Sequence, residues 1–272
     1  ISGFGEEGPY AGRRVYDPVV QALSGLADVQ RDRPSGRPRM MRLILPDKLT
    51  AITAAQAITA GLLARARGGE GQHLRLSMLD ATVAFLWPEA MAAYTFVGRE
   101  GRGEGERLGQ DLVFEARDGF LTAGAVSDAE WAGLTRALER PEWLEDPRFA
   151  TPAGRVAHAG ERIEQMAEVF RERSRDEWLE RLQAEDVPCA PVLRRAELLE
   201  HPQIQANRLV VQGEDPRAGR IRQPRPAERF DRTPAELRRP APGLGEHTDA
   251  VLEELGLRAP EIAALREQAI VA

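Results

Sequence analysis

The chain has 272 residues, of which 42% are hydrophobic and 29% charged, and its formal net charge is -6 at pH 7. This length and composition suffice for one large or two smaller domains with a sizeable core. The acidic balance argues against a nucleic-acid partner, because proteins that bind nucleic acids usually carry a basic excess.

The first 97 residues are predicted to alternate between loops and helices. A glycine loop opens the chain, and residues 31–39 are rich in proline and arginine, which is typical of an exposed loop. Leu74 and Leu76 alternate with polar residues, so residues 73–77 are predicted to form a strand. Predicted helices cover residues 18–28, 48–67 and 80–94, the last with a break at Pro88. Helix, strand and helix in this order favour a βαβ arrangement.

The second half of the chain begins with residues 98–110, whose glycines and charges are typical of a linker. Residues 112–125 predict a β-hairpin with Asp118-Gly119 at its turn. The alternating, proline-containing residues 210–230 predict edge strands or loops. Further helices are predicted over residues 128–138, 155–173, 175–185 and 248–268. We therefore expect part of a large domain over residues 1–97, a small domain over 111–191, and a return to the large domain over 192–272.

Asp47 follows a short apolar run and stands immediately before the predicted long helix. From chemistry alone, the more common role of such an aspartate is to cap the helix N-terminus. A carboxylate at the positive end of a helix dipole can also act as a nucleophile towards an acyl thioester. The two roles are compatible, so both stay open at this point.

Other chemically suggestive residues carry weaker signals. Gly3, Gly5 and Gly8 have the spacing of a dinucleotide-binding loop, but Pro9 and the polar residues after it fit poorly with an immediate helix, so neither NAD nor FAD is predicted. The four histidines show no metal-ligand spacing, so no metal site is predicted.

Cys189 is the only cysteine, so an internal disulfide is excluded, and the residue is predicted to be a structural thiol. A single cysteine fits a reducing compartment, so we expect a cytoplasmic protein.

Two further expectations concern membranes and the start of the chain. No apolar stretch is predicted to span a bilayer, so no membrane partner is expected. The chain starts at Ile1 in a segment that reads as a strand entering a glycine turn, so we expect residues upstream of it.

Taken in order, several segments resemble the class III CoA transferases, a family that includes formyl-CoA transferase, carnitine-CoA transferases and α-methylacyl-CoA racemases. Each segment is short, and the resemblance comes from their number and order along nearly the whole chain. The segments are ISGFGEEGPY at 1–10, DPVVQALSG at 17–25, the helix start at 47–56, GEGQHLRLSMLD at 69–80, RPEW at 140–143, DPRF at 146–149, VPCAP at 187–191 and GEHTD at 245–249.

The resemblance implies a fold and an assembly. The fold is α/β, with a Rossmann-like parallel-sheet large domain built from both ends of the chain and a smaller α+β domain. The assembly is an interlocked homodimer in which each chain threads through the other. The family's N-terminal segment has no counterpart here, and residues 101–109 are only a weak counterpart of the glycine-rich loop of formyl-CoA transferase. Formyl and oxalyl specificity are therefore not predicted.

The resemblance also implies a reaction. Asp47 falls at the position of the catalytic aspartate, and Arg14, Val15, Tyr16 and Asp17 match a stretch that contacts CoA. Coenzyme A would be a substrate exchanged between an acyl-CoA and a carboxylic acid, with no permanently bound cofactor. The expected intermediates are an aspartyl anhydride and an aspartyl-CoA thioester, with backbone N–H groups at the helix start stabilising the oxyanions.

Two alternative functions remain open. Racemases of this family have a histidine at the position of Tyr16, and a tyrosine with an ordinary pKa of about 10 is a poor replacement in proton exchange. Transfer is therefore favoured over an acyl-CoA racemase or epimerase. The other alternative is a non-catalytic CoA-binding subunit or fragment.

Overall fold

The computed structural model describes residues 1–32, 34–100 and 111–271, so most of the predicted linker over residues 98–110 lies outside the described residues. We call residues 1–97 the first segment and residues 111–191 the second segment. The helices of the first segment are α1 (Asp17–Leu23), α2 (Leu26–Val29), α3 (Leu45–Ala66) and α4 (Met78–Leu86), followed by a short 3₁₀ turn (Ala92–Tyr94).

Glycine and proline set the ends of these helices. The predicted helix over residues 18–28 is divided into α1 and α2 because Gly25 has a φ of 87°, a conformation that glycine adopts without steric penalty. Helix α3 begins at Leu45, three residues earlier than predicted, with Pro46 in its first turn, where no intrahelical N–H bond is lost. Helix α4 ends at Leu86, before Pro88, so the predicted break there is confirmed.

The predicted strand over residues 73–77 is reduced to one parallel bridge between Ser2 and Ser77 in the part of the chain that the structure describes. The Ser2 N–H donates to the Leu76 carbonyl at 3.0 Å, and the Met78 N–H donates to the Ser2 carbonyl at 2.9 Å. Among the described residues, residues 73–77 pair only with the opening residues of the chain, and that pairing is too short to form a strand. The parallel sheet of the large domain stays a prediction.

The second segment contains a three-stranded antiparallel sheet and four helices among its described residues. The predicted hairpin is confirmed, and β3 pairs with β2 on the other side. The predicted turn residues were wrong by one position: the turn is Arg117-Asp118, because Gly119 already pairs with Ala116. The elements are β1 (Val113–Ala116), β2 (Gly119–Ala123), α5 (Asp128–Ala137), a 3₁₀ turn (Pro141–Leu144), α6 (Pro152–Ala157), α7 (Ala159–Phe170), α8 (Arg175–Ala184) and β3 (Cys189–Pro191).

Each of two long helices predicted from the sequence is divided into two shorter helices in the structure. The prediction over residues 155–173 was wrong because His158 leaves the helical conformation, with φ -106° and ψ 30°, between α6 and α7. The prediction over residues 248–268 was wrong because Gly256 has a φ of 90°. The remaining elements are a 3₁₀ turn (Glu197–Glu200), α9 (Pro202–Ala206), the antiparallel hairpin of β4 (Val210–Asp215) and β5 (Gly219–Pro224), α10 (Thr248–Glu254) and α11 (Ala259–Glu267).

One hydrophobic core occupies the second segment. Aromatic rings interlock at its centre: the Phe170 ring lies 4.7 Å from that of Phe114 and 5.4 Å, edge to face, from that of Trp178. The buried Trp178 Nε1 donates to the Phe170 carbonyl at 2.7 Å, which satisfies the polar atom of this indole. All three members of this group are 1% exposed or less, so the second segment has a closed core of its own.

Helix α3 is much more exposed than the core of the second segment. It packs on α1 and α4, yet Ile52 is 70% exposed and Ile58, Leu62 and Leu63 are about half exposed. Its 22 residues include a window with a mean hydropathy of 1.2, so α3 has the length and composition of a helix that could cross a membrane. The prediction that no apolar stretch reaches this length was therefore wrong for α3, although core helices of globular proteins share both properties.

Candidate functional site

Asp47 lies in the first turn of α3, at its third helical residue. The N-cap position belongs to Ile44, which makes no side-chain cap, so the interpretation of Asp47 as the N-cap was wrong. The Asp47 side chain is exposed, and no hydrogen bond or ion pair holds its carboxylate among the described residues. It stands at the positive end of a 22-residue helix, where the dipole favours a negative charge.

The backbone amides of this turn are already bonded within the chain. The Leu45 N–H donates to the Leu43 carbonyl at 2.9 Å, and the Lys48 N–H donates to the Ile44 carbonyl at 3.4 Å. Pro46 has no N–H, and the Asp47 N–H donates to Asp17 Oδ2 at 3.1 Å. The expectation that these amides stabilise an oxyanion is therefore not supported by this geometry, because that role requires donors free to meet the substrate.

Asp17 brings the start of α1 against the start of α3. The residue is only 3% exposed, and its Oδ1 accepts a hydrogen bond from Gln21 Nε2 at 2.6 Å, while its Oδ2 accepts from the Asp47 amide. Both carboxylate oxygens of Asp17 therefore already accept hydrogen bonds from within the protein. The Asp17 carboxylate thus has a structural role, and contact between Asp17 and CoA stays a prediction.

The other three residues of the predicted CoA-contacting stretch lie nearer to solvent. Arg14 is exposed, Val15 is half-buried, and Tyr16 is 78% exposed and immediately precedes α1. Because Tyr16 is the neighbour of Asp17, and Asp17 contacts Asp47, the stretch lies beside the start of α3. Contact between these residues and CoA stays a prediction.

The glycines of the opening segment have structural explanations. A Cβ added to Gly3 would lie 2.4 Å from Val15 Cγ1, so only glycine allows the opening segment to approach Val15 this closely. Gly5 and Gly8 have φ values of 96° and 84°, which glycine adopts freely. A turn and a close approach thus account for the spacing that suggested a dinucleotide loop, and the first helix after it begins only at Asp17.

The most important residue that sequence reasoning missed is Gln21. It is 2% exposed and bonds Asp17 as well as the chain leading into α3. A glutamine four residues after an aspartate on one helix is a known pairing signal, but nothing in the sequence shows that the pair is buried.

A cavity of about 430 Å³ lies in the second segment, and none of the predicted site residues lines it. Its walls include Trp131, Met166 and Cys189, and it is mainly apolar. Burial raises the pKa of the Cys189 thiol, which keeps it protonated and a poor nucleophile. Within the described ranges, no group of three or more His, Cys, Asp and Glu could hold a metal ion.

Comparison with known proteins shows one family. The family model described as CoA-transferase family III matches residues 1–248. An acyl-CoA transferase of Fusarium pseudograminearum is 32% identical over 276 residues, covering 100% of this chain and 60% of the relative. The human succinyl-CoA:glutarate CoA-transferase is 30% identical, covering 94% of this chain and 58% of the relative. The succinate–glutarate CoA-transferase of Agrobacterium fabrum is 34% identical, covering 94% and 64%.

Solved structures agree on the fold. The Mycobacterium tuberculosis protein Rv3272 superposes with a TM-score of 0.77 at 24% identity, covering 91% of this chain and 66% of that one. A CaiB/BaiF family protein from Brucella suis superposes with a TM-score of 0.72 at 28% identity, covering 93% and 66%. The chain spans about three fifths of the length of the first curated relatives that it matches. With the family model matched over most of its length, the chain belongs to CoA-transferase family III.

Proposed function

We propose that the protein transfers coenzyme A from an acyl-CoA to a carboxylic acid, with Asp47 as the nucleophile. The observation that carries this proposal is the exposed Asp47 carboxylate at the start of α3, in a chain of CoA-transferase family III. Two of the relatives named above are CoA-transferases for succinate and glutarate, so short dicarboxylic acids are the first substrates to test.

The proposed reaction is a balanced sequence of substitutions at carbonyl carbons. The Asp47 carboxylate attacks the thioester carbonyl of the donor, the C–S bond breaks, and a mixed anhydride and the CoA thiolate result. The thiolate then attacks the carbonyl of Asp47, which releases the donor as a carboxylate and leaves an aspartyl-CoA thioester. The acceptor carboxylate repeats these steps in reverse and regenerates Asp47. No electron is gained or lost, and no proton is consumed.

In this proposal, Arg14, Val15 and Tyr16 contact CoA beside Asp47. Arg14 is exposed and carries the positive charge that suits a phosphate oxygen. Tyr16 has an exposed ring and immediately precedes Asp17, whose carboxylate accepts a hydrogen bond from the backbone of Asp47. Coenzyme A acts as a substrate throughout and not as a resident cofactor.

We also propose that the protein works as an interlocked homodimer with a Rossmann-like large domain, in the cytoplasm. The exposed apolar side chains of α3, Ile52 above all, support an assembly in which this helix is covered. The measurement is the mass of the native particle by light scattering, for which the proposal requires twice the mass of one chain.

The decisive test is to trap the acyl-enzyme. The full-length protein is incubated with succinyl-CoA, glutarate and hydroxylamine, and its peptides are analysed by mass spectrometry. Hydroxylamine attacks an activated aspartyl carbonyl and leaves a hydroxamate, so a hydroxamate on the peptide with Asp47 is expected. Asp47→Asn should abolish this adduct and lower kcat by several orders of magnitude, as loss of a nucleophile does.

Asp28→Asn provides the matched control, since Asp28 is an exposed carboxylate of the same segment whose partner is the nearby Arg31. It should keep both the adduct and the rate. An unmodified Asp47 together with exchange of the α-hydrogen for deuterium would replace the proposal by a racemase. Full transfer activity in Asp47→Asn would remove Asp47 from the mechanism.

A further inference from the structure

Gln21 is a fully bonded side-chain amide in the interior of the first segment. It lies on α1 and is 2% exposed. Its Nε2 donates to Asp17 Oδ1 at 2.6 Å, to the Leu43 carbonyl at 3.2 Å and to the Met41 carbonyl at 3.5 Å. Its Oε1 accepts the Met41 N–H at 2.9 Å. Leaving a polar group of the interior without a hydrogen-bond partner is costly, so these partners favour a glutamine at this position.

The contacts of Gln21 lead to the start of α3 along two routes. The first passes through Met41 and Leu43, the residues by which the chain enters the helix. The second passes through Asp17, whose other oxygen accepts the Asp47 N–H at 3.1 Å. One side chain on α1 therefore holds both the entry of the chain into α3 and the carboxylate that bonds the backbone of Asp47.

Charge explains why a neutral amide suits this position. Asp17 has to accept a hydrogen bond from the Asp47 amide, and a donor on its other oxygen fixes the direction of the carboxylate. A second carboxylate at 2.6 Å would compete for a proton with Asp17. An apolar side chain of the same size would leave Asp17 and the Met41 amide without these partners.

The position of the Asp47 carboxylate depends on the backbone of its own turn. Among the described residues, no hydrogen bond or ion pair holds the carboxylate itself, and the residue is exposed. A displacement of this first turn would therefore move the nucleophile directly.

We infer that Gln21 is a positioning residue for Asp47, acting through Asp17 and through the entry of the chain into α3. The inference rests on the proposed function, because it takes Asp47 as the group that attacks the thioester. It predicts that Gln21 contributes to kcat without contributing to the binding of acyl-CoA.

The test compares Gln21→Met with the wild-type full-length protein. Methionine has a similar size and makes none of the four hydrogen bonds of the Gln21 side chain. We expect kcat and the rate of hydroxamate formation at Asp47 to fall roughly ten- to a hundredfold, the effect of a displacement of about 1 Å at a reacting group. The KM for succinyl-CoA should stay within about twofold, because no interaction with the substrate is removed.

Val20→Ala is the matched control for general destabilisation. Val20 is the neighbouring residue on α1, is 0% exposed, and donates no side-chain hydrogen bond. Both variants should lower the melting temperature, but only Gln21→Met should lower kcat at a temperature where both are folded. Wild-type kcat in Gln21→Met, or an equal loss of kcat in Val20→Ala, would overturn the inference.

Hydrogen exchange of the Asp47 amide separates this inference from the proposed function. The amide is bonded to Asp17, so it should be protected in the wild type and in Val20→Ala, and should lose protection in Gln21→Met. If the wild type forms no hydroxamate at Asp47, the proposed function fails. Hydrogen exchange of the Asp47 amide would still show whether Gln21 holds the bond between that amide and Asp17. Protection that persists in Gln21→Met would overturn the link between Gln21 and Asp47.

Discussion

The first and second segments are held together in different ways. In the second segment, large aromatic and aliphatic side chains such as Trp131, Phe170 and Trp178 form one closed core. In the first segment, the buried residues include polar side chains such as Asp17, Gln21 and Thr82 next to a few small apolar ones. In the first segment, where the candidate site lies, directional hydrogen bonds fix the positions of the side chains. The second segment is stabilised mainly by hydrophobic burial, which has no preferred direction.

The largest expected effect is on the core of the second segment. Phe170→Ala removes a 0% exposed ring that contacts Phe114 and Trp178, and should lower the free energy of unfolding by about 3–5 kcal/mol. Phe85→Ala on α4, where the ring is 58% exposed, should change it by about 0.5 kcal/mol or less.

Tryptophan fluorescence during urea denaturation measures this difference. Three of the four tryptophans lie in the second segment, and replacing Trp87 by Phe leaves only those three as reporters. Equal losses in Phe170→Ala and Phe85→Ala would show that the second segment does not depend on its closed core.

An intermediate effect is expected from adding one methyl group at a tight contact in each segment. In Gly133→Ala the new Cβ would lie 2.5 Å from the backbone oxygen of Glu185, and in Gly3→Ala it would lie 2.4 Å from Val15 Cγ1. Overpacking of this kind costs about 1–3 kcal/mol. The loss should be greater at Gly133, because the backbone carbonyl of Glu185, at the C-terminal end of α8, gives way less than a side chain does.

A double-mutant cycle tests this explanation in the first segment. Val15→Ala removes the methyl carbons that the new Cβ would meet, so it should recover part of the stability lost in Gly3→Ala, as measured by thermal unfolding. Strict additivity of the two substitutions would show that the contact between Gly3 and Val15 is not the source of the strain.

The smallest expected effect is a loss of stability of the second segment at low pH. Hydrogen bonds from the Arg148 guanidinium lower the pKa of Asp146 below its ordinary value of 3.8. Because the pKa is lower in the folded state, the stabilisation is complete above the unfolded value and is lost as the pH falls through the folded value. Urea denaturation between about pH 5 and about pH 2 should show this loss.

Asp146→Asn should weaken that acid dependence, since an amide does not titrate. The variant should differ from the wild type more at neutral pH than at low pH, because protonation of Asp146 removes the charge that the asparagine lacks. A constant difference across this range would mean that the contact between Asp146 and Arg148 does not depend on charge.

Local chemistry in the sequence determined the family, the hairpin and much of the helix content. Asp118-Gly119 and the alternating residues around it predicted the hairpin because turn chemistry is local, although the turn itself lies one residue earlier, at Arg117-Asp118. Pro88 marked the end of α4 in the same way. Motif order identified the family because it needs no three-dimensional information, and it pointed to Asp47 and to residues 14–17 as the candidate site.

Only the tertiary structure decided how these residues meet. The side chain of Asp17 looks equally suited to a ligand and to a helix start, and its burial against Gln21 and the Asp47 amide depends on how α1 packs beside α3. The exposed face of α3 is likewise invisible in a sequence whose apolar residues predict burial. Periodicity reports which residues share a face of a helix, whereas packing over long sequence separations decides what that face meets.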